Sequence, residues 1–314
     1  MAEGKNLKIK AYHSDAATKI AKKEATAAYI FLIPAFIGLT VLTYGPLLAV
    51  FGISFFNWGR IPKFTMDSFI GLENYIYLFR DDPFFKDSIK VTAFFTLLAV
   101  AGSLIYSLAV AMLLNRKIPA RGFFRAVFYI PYVLPAVAVY MGWSWLYEPN
   151  YGLFNYVLTL LNVDKVNFLQ DSKLVIPSLA LISVWLSGNL IVIFLAGLQN
   201  VPRVYYEAAE IDGANFWQRF LNVTVPSMTP IIFYNLLMAI VTNMQIVTPA
   251  LALTQGGPGN STRFMTYLMY YEGFYSGRLS SAAAISFVFF IIVAIFTAII
   301  FVTSREWVFY EGDK

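Results

Sequence analysis

Six long apolar stretches dominate this 314-residue sequence and restrict what it can fold into. They occupy residues 27–56, 91–114, 126–147, 174–198, 230–253 and 281–303. Each is near or above the roughly 20 residues that an α-helix needs to cross a bilayer. Charged residues make up only 13% of the chain, against about 25% in ordinary soluble domains. The pattern predicts an all-α integral membrane protein with six transmembrane helices.

The charges between these stretches predict the orientation. The N-terminal segment carries Lys5, Lys8, Lys10, Lys19, Lys22 and Lys23, and the connection 115–125 carries Arg116, Lys117, Arg121 and Arg125 with no acidic residue. Basic residues are enriched on the cytoplasmic side. Both termini and the connections 115–125 and 199–229 are therefore predicted to be cytoplasmic. The predicted organisation is a lysine-rich tail (1–26), a membrane domain (27–303) and a C-terminal tail (304–314).

The first apolar stretch is better explained as an uncleaved membrane anchor than as a signal peptide. It runs for about 30 residues, whereas the apolar core of a signal peptide has 7–15. Pro34 and Gly45-Pro46 interrupt it, which predicts a kink or a tilt.

Residue types exclude several functions. The chain has no cysteine, and its one histidine is His13 in the N-terminal tail, so we expect no metal site and no catalytic histidine cluster. No phosphate-binding loop of the form GxxxxGK[ST] occurs, so we do not expect this chain to hydrolyse ATP. The net charge is +5, but the lysine and arginine residues gather beside the apolar stretches, which indicates membrane topology and not nucleic-acid binding.

A charged insert in the connection 199–229 has the pattern of two short helices. Helix formers fill residues 207–211, Gly213 can adopt the left-handed conformation that ends a helix, and Asn215 can cap the next one. Pro226 is expected to close this unit before the fifth apolar stretch. An ordinary solvated loop is the alternative, since short charged helix–turn–helix loops are common.

The insert, EAAEIDGANFWQRFLNVTVP, resembles the EAA signature of membrane subunits of binding-protein-dependent ATP-binding-cassette importers. The matching positions are Glu207, Ala208, Ala209, Asp212, Gly213, Ala214, Val225 and Pro226. The segments GLENY (71–75), YGLFN (151–155) and LTQGGP (253–258) are similar to the carbohydrate-uptake branch of that family, which includes the maltose-type permeases. The similarity extends over nearly the whole chain beyond the N-terminal tail.

This resemblance implies a permease of the type I importer architecture in a bacterial cytoplasmic membrane, and not an enzyme. It implies that Glu207, Ala208, Ala209, Asp212, Gly213 and Ala214 form a coupling helix that docks on an ATPase subunit. The implied partners are a second permease subunit, a dimer of ATP-binding subunits that hold ATP and Mg²⁺, an extracytoplasmic solute-binding protein, a carbohydrate substrate and membrane lipid. No cofactor is expected in this chain.

Polar residues inside the apolar stretches are the candidates for contacts with substrate, because polar side chains in a membrane usually face a cavity. They are Asn243, Thr248, Asn189, Ser187 and Gln245. The resemblance aligns Asn243 with a sugar-contacting asparagine. In an unbroken helix Gln245 points about 200° away from Asn243, so the five residues are not expected to line one narrow path. Hydrogen bonding between helices is the alternative role for all of them.

Two other functions compete with sugar import. A permease for glycerol-phosphate-type or other small polar solutes would be favoured by a basic residue deep in the membrane, and stretches four and five contain none. A membrane scaffold whose loop recruits a cytoplasmic protein is the second alternative. The tryptophans Trp143, Trp145 and Trp185 could stack on sugar rings or anchor the helices at the membrane interface.

Overall fold

The structure is a computed structural model that describes residues 22–61 and 65–309. Within these residues the chain is helical, and its one β pairing is an isolated bridge between Phe56 and Phe69. The predicted tails lie largely outside the described residues, at 1–21 and 310–314. The helices are α1 Lys22–Ile53, α2 Glu73–Arg80, α3 Phe85–Asn115, α4 Arg121–Val133, α5 Ala136–Leu146, α6 Leu153–Leu160, α7 Val175–Trp185, α8 Gly188–Asn200, α9 Arg203–Ile211, α10 Phe216–Met244, α11 Met265–Tyr270 and α12 Leu279–Trp307.

Four of these helices, α1, α3, α10 and α12, are each long and apolar enough to cross a membrane unbroken. The other two predicted spans are bent pairs. Helices α4 and α5 meet at 100°, and α7 and α8 meet at 49°. The described residues thus contain four continuous spans, or six if each bent pair crosses as one. The spans predicted at 126–147 and 174–198 are therefore each interrupted by a bend.

The prediction that Pro226 closes a unit before the fifth span is also wrong, because α10 continues through it. The turn before Pro226 is a wide π-helical turn, Phe220–Thr224, in which Val225 N–H donates to the Phe220 carbonyl. Helix α1 has the same arrangement at Thr40–Tyr44, before Pro46. A proline ring clashes with the carbonyl four residues earlier, and a wide turn moves that carbonyl away. Both helices therefore continue past a proline.

Helix α3 is the centre of the bundle and packs against α7, α8 and α10. Small side chains at Ala99, Ser103, Ser107 and Ala111 recur every four residues along it, and all four are buried. Small residues at this spacing let neighbouring helices approach closely in membranes. In contrast, the most apolar 18 residues of α1 include none that is buried.

Contacts between chain ends and loops identify the two ends of the bundle. At one end, the guanidinium of Arg116, just after α3, lies 5.9 Å from the ring centre of Phe216 at the start of α10, and Phe309 N–H donates to Thr229 Oγ1 (2.9 Å). At the opposite end, Trp58 N–H donates to Ser280 Oγ (2.9 Å). The connection after α3 and the loop before α10 are therefore at the end where α12 finishes.

Candidate functional site: an exposed helical insert and a polar cavity

The charged insert folds as two helices joined by a tight turn. Helix α9 ends in a Schellman motif, in which Gly213 N–H donates to the Glu210 carbonyl (3.1 Å) and Ala214 N–H to the Ala209 carbonyl (2.9 Å). Gly213 has φ = 74°, a conformation that costs other residues free energy because of their Cβ. The predicted end of the helix is confirmed, although α9 begins at Arg203, before the signature.

The second helix begins with the predicted cap. Asn215 Oδ1 accepts from Gln218 N–H (3.0 Å), and Gln218 Oε1 accepts from Asn215 N–H (2.8 Å). This reciprocal capping box satisfies two backbone donors at the start of α10. Because α10 runs unbroken to Met244, the cap fixes the turn directly to a helix that crosses the membrane domain.

Two side-chain contacts join α9 to α10 beyond the turn. Glu210 forms an ion pair with Arg219, whose side chain is 29% exposed. Tyr206 Oη and Thr224 Oγ1 share a hydrogen bond of 2.9 Å. Together with the Schellman motif and the capping box, these contacts make α9, the turn and the start of α10 one unit. We call residues 203–224 the coupling unit.

One face of α9 is exposed and has no partner within the described chain. Val204, Glu207, Ala208 and Ile211 lie at positions i, i+3, i+4 and i+7, and Ile211 is 87% exposed. Asp212 and Gly213 are also exposed, while Ala209 and Ala214 are half-buried. The signature identified Glu207 and Ala208, and the helix predicted at 207–211 includes Ile211, whereas Val204 was missed. Its helical spacing from Glu207 was the signal that could have found it.

The five candidate substrate residues lie around one cavity of about 440 Å³. All five line it: Ser187, Asn189, Asn243, Gln245 and Thr248. The lining also includes Thr242, a polar residue of the fifth apolar stretch, and Tyr140 and Ser183, which the sequence did not indicate. None of the lining residues that the structure describes is charged. The cavity wall therefore offers hydroxyl and amide groups between apolar side chains.

Breaks in three helices form this cavity. Helix α4 ends before Pro135, α7 is separated from α8 by Leu186 and Ser187, and α10 ends at Met244. Leu134, Ser187 and Gln245 lie at these breaks, and all three line the cavity. Non-helical backbone inside a membrane is tolerated where it is buried in protein or lines a cavity. In transporters such interrupted helices mark the substrate site.

The expectation that the five residues could not line one path is wrong because it assumed an unbroken helix. The chain leaves the helix after Met244, and Gln245 has φ = −88° and ψ = 15°. The helical angle between Asn243 and Gln245 therefore does not apply. Thr248 comes to the same cavity through this non-helical segment, and Thr266 Oγ1 holds the segment by donating to the Ile246 carbonyl.

Hydrogen bonds distinguish two of the candidates. Ser187 Oγ lies 2.9 Å from Ser107 Oγ of α3, so this pair links two helices. Asn243 Nδ2 instead donates to the Ala239 carbonyl of its own helix (2.8 Å). Asn243 therefore makes a local bond at the cavity wall, while Ser187 has the interhelical role that polar groups commonly take in membrane bundles.

A separate aromatic cluster contains the candidate stacking tryptophans. The Trp143 ring lies 5.6 Å from that of Trp185 and 5.8 Å from that of Phe154, and Trp145 lies 6.4 Å from Tyr151. None of the three tryptophans lines the cavity. The packing of Trp143 and Trp185 favours a structural role.

Comparisons with known proteins agree with this architecture. Residues 102–305 match the model of a family described as "Binding-protein-dependent transport system inner membrane component". The chain is 35% identical to a probable ABC transporter permease, YesP, of Bacillus subtilis over 93% of this chain and 95% of that protein. It is 30% identical to the trehalose/maltose transport system permease MalF of Thermococcus litoralis, over 92% and 97%.

A solved structure has the same fold. The structure of a bacterial ABC transporter involved in the import of the acidic polysaccharide alginate contains a chain that aligns with a TM-score of 0.77 and 21% identity. The alignment covers 90% of this chain and 96% of that one.

Proposed function

This chain belongs to the family of binding-protein-dependent transport system inner membrane components, and on that basis we propose how it works. It is the permease subunit of an ATP-driven importer and forms, with a second permease subunit, the path of a sugar or oligosaccharide across the cytoplasmic membrane. ATP and Mg²⁺ bind to a separate ATPase dimer. An extracytoplasmic solute-binding protein delivers the substrate.

The continuity of the coupling unit with α10 carries this proposal. The exposed face of α9 lies at one end of α10, and Thr242 and Asn243 line the cavity at the other end. A helix of 29 residues is about 40 Å long. When the ATPase dimer closes on ATP, α9 moves with the subunit on which it docks, and α10 carries this movement to the cavity. Packed elements amplify small interface shifts into such rigid-body changes.

The exposed face of α9 fits a docking surface on another protein. Val204 and Ile211 are apolar and highly exposed, and Glu207 lies between them. A groove that covers the two apolar residues and offers a basic group to Glu207 would bind this face. Exposed apolar residues grouped in this way mark interaction sites.

The topology follows from the bundle ends and the positive charges. The connection 115–125 carries four basic residues and no acidic one, which supports a cytoplasmic position for its end of the bundle. The coupling unit and the end of α12 share that side. With each bent pair crossing as one span, the proposed topology has both termini in the cytoplasm.

The cavity fits a neutral, hydroxyl-rich substrate. Its volume of about 440 Å³ lies within the range of small-molecule sites, and its polar groups are amides and hydroxyls. A phosphate ester would be bound best by arginine or lysine, and no such residue lines this wall. Relatives named for trehalose, maltose and starch degradation products support a glucose-containing oligosaccharide.

The exposed α1 supports the second permease subunit as a partner. Only the C-terminal part of α1 packs on α12, where the ring centres of Phe51 and Phe287 lie 4.4 Å apart. The most apolar 18 residues of α1 include none that is buried, so lipid or another membrane subunit must cover their exposed side chains.

Reconstitution of the complete transporter tests the proposal. The chain, purified gently with its genomic neighbours, is expected to bring an ATPase and a second permease, and proteoliposomes are expected to take up maltose or trehalose when ATP and the binding protein are supplied. An isolated chain with no such subunits would favour a scaffold. Uptake of glycerol phosphate in place of these sugars would overturn the substrate assignment.

A further inference from the structure

A second cavity lies between the central helix and the coupling unit. Its volume is about 710 Å³. Leu108, Met112 and Arg116 form part of one wall, while Phe216, Trp217 and Phe220 of the coupling unit form part of the other. None of these residues lines the polar cavity.

The chemistry of this cavity is that of an apolar slot with a cation at its mouth. Arg116 follows the last residue of α3, and its guanidinium lies 5.9 Å from the centre of the Phe216 ring. No acidic residue lines the cavity within the described chain. Leu113, which is 57% exposed, and Trp217, which is 66% exposed, open the slot towards the surroundings. A ligand for this site needs a long apolar portion joined to an anion.

We propose that this cavity binds one anionic phospholipid of the cytoplasmic leaflet. An acyl chain lies between α3 and the coupling unit, and the lipid phosphate contacts Arg116. Basic pockets on the cytoplasmic side of membrane proteins bind anionic headgroups in this way. The inference rests on the cytoplasmic position of Arg116, and it does not depend on docking to an ATPase or on the identity of the sugar.

The position of the lipid has a consequence for movement. One wall of the slot belongs to the central helix, and the other belongs to the coupling unit that transmits ATPase closure. A bound acyl chain fills the space between these two elements and supports the coupling unit through its Phe216 and Trp217 side. Phosphatidylcholine also carries a phosphate, but its trimethylammonium group offsets that charge and weakens the attraction to Arg116. A preference for a headgroup with net negative charge therefore distinguishes a specific site from general solvation.

Fluorescence of Trp217 in the complete transporter tests this site. The transporter is placed in lipid nanodiscs containing phosphatidylglycerol or phosphatidylcholine with brominated acyl chains, which quench nearby tryptophans. The Trp217 signal is the difference between the native transporter and the Trp217→Phe variant, since this chain alone has six tryptophans. We expect half-maximal quenching at a concentration of brominated phosphatidylglycerol about fivefold lower than that of brominated phosphatidylcholine. This ratio corresponds to the free energy of about 1 kcal/mol that one basic residue gains near an anionic surface.

Two matched variants locate the selectivity. Arg116→Gln is expected to remove the fivefold preference, while Lys117→Gln, which changes the neighbouring basic residue outside the cavity lining, is expected to keep it. Equal quenching by the two lipids in the native transporter would overturn the anionic site. Absence of quenching by both would show that another subunit covers the cavity, and would also overturn it. Equal loss in both variants would assign the preference to general surface charge.

Discussion

Gly213 is the residue at which coupling can be tested with the smallest change. A Cβ at this position meets no atom within 4 Å, so substitution acts through the backbone alone. Alanine in the left-handed conformation costs roughly 1–2 kcal/mol, whereas asparagine adopts it more readily. Proline fixes φ near about −65°, far from the observed 74°, and removes the N–H that donates to the Glu210 carbonyl.

These differences predict a graded series. Gly213→Asn is expected to stay close to the native protein, and Gly213→Ala to lose part of its coupling. Gly213→Pro breaks both Schellman hydrogen bonds, at about 1 kcal/mol each, in addition to the conformational cost. A change of one or two kcal/mol alters the population of a local structure by about 5- to 30-fold. We therefore expect Gly213→Pro to hydrolyse ATP with little transport.

The assay is the number of sugar molecules transported per ATP hydrolysed in proteoliposomes that contain the complete transporter. Assembly is checked by recovery of the ATPase with each variant, because a lost subunit would also stop transport. A native transport ratio in Gly213→Pro, with the transporter assembled, would refute the role assigned to this turn.

Three further tests address separate parts of the structure. Glu210→Arg and Arg219→Glu are each expected to lower the transport ratio, and the double exchange is expected to restore it. Because the pair is partly exposed, the free energy of unfolding should change by less than about 1 kcal/mol, and a double exchange that restores nothing would contradict a positioning role. Asn243→Ala is expected to weaken sugar uptake with assembly intact. Ser286→Ala is the control, since it loses a similar intrahelical hydrogen bond outside the polar cavity and should not weaken uptake; equal effects would assign Asn243 to packing. Gly188→Ala places a Cβ 2.8 Å from the Phe128 carbonyl oxygen and is expected to destabilise the bundle by about 1–3 kcal/mol in thermal unfolding. Gly142→Ala is the control, because a Cβ there meets no atom within 4 Å; equal stability of the two variants would contradict the close packing of α4 on α8.

The sequence predicted those parts of the molecule that depend on local chemistry. The left-handed Gly213 and the cap at Asn215 follow from residue type and spacing over a few positions, and the structure confirms both. The breaks were not predictable in the same way. Pro131 lies inside α4, whereas Pro135, four residues later, lies at the 100° bend between α4 and α5, so a proline alone does not distinguish the two outcomes. The difference depends on packing by neighbouring helices.

The site residues show the same division. Asn243 and Gln245 were identified as candidates because they are polar residues in an apolar stretch. The prediction that they point in different directions was wrong because it assumed a continuous helix, and no glycine or proline marks the end of α10 at Met244. Tyr140 and Ser183 were missed because an isolated tyrosine or serine in an apolar stretch carries no signal of its own. Only the convergence of three broken helices shows that they line the polar cavity.

The central claim is that the coupling unit and α10 move as one rigid element. Because this chain has no cysteine, spin labels can be attached at Ala208→Cys and Tyr234→Cys, and their separation measured by pulsed electron paramagnetic resonance in the nucleotide-free and ATP-bound transporter. A second pair, Ala208→Cys with Asn150→Cys in the loop before α6, reports movement relative to the rest of the bundle. We expect the first separation to stay the same and the second to change when ATP binds. A change in the first separation would show that the coupling unit bends away from α10, and would contradict the account.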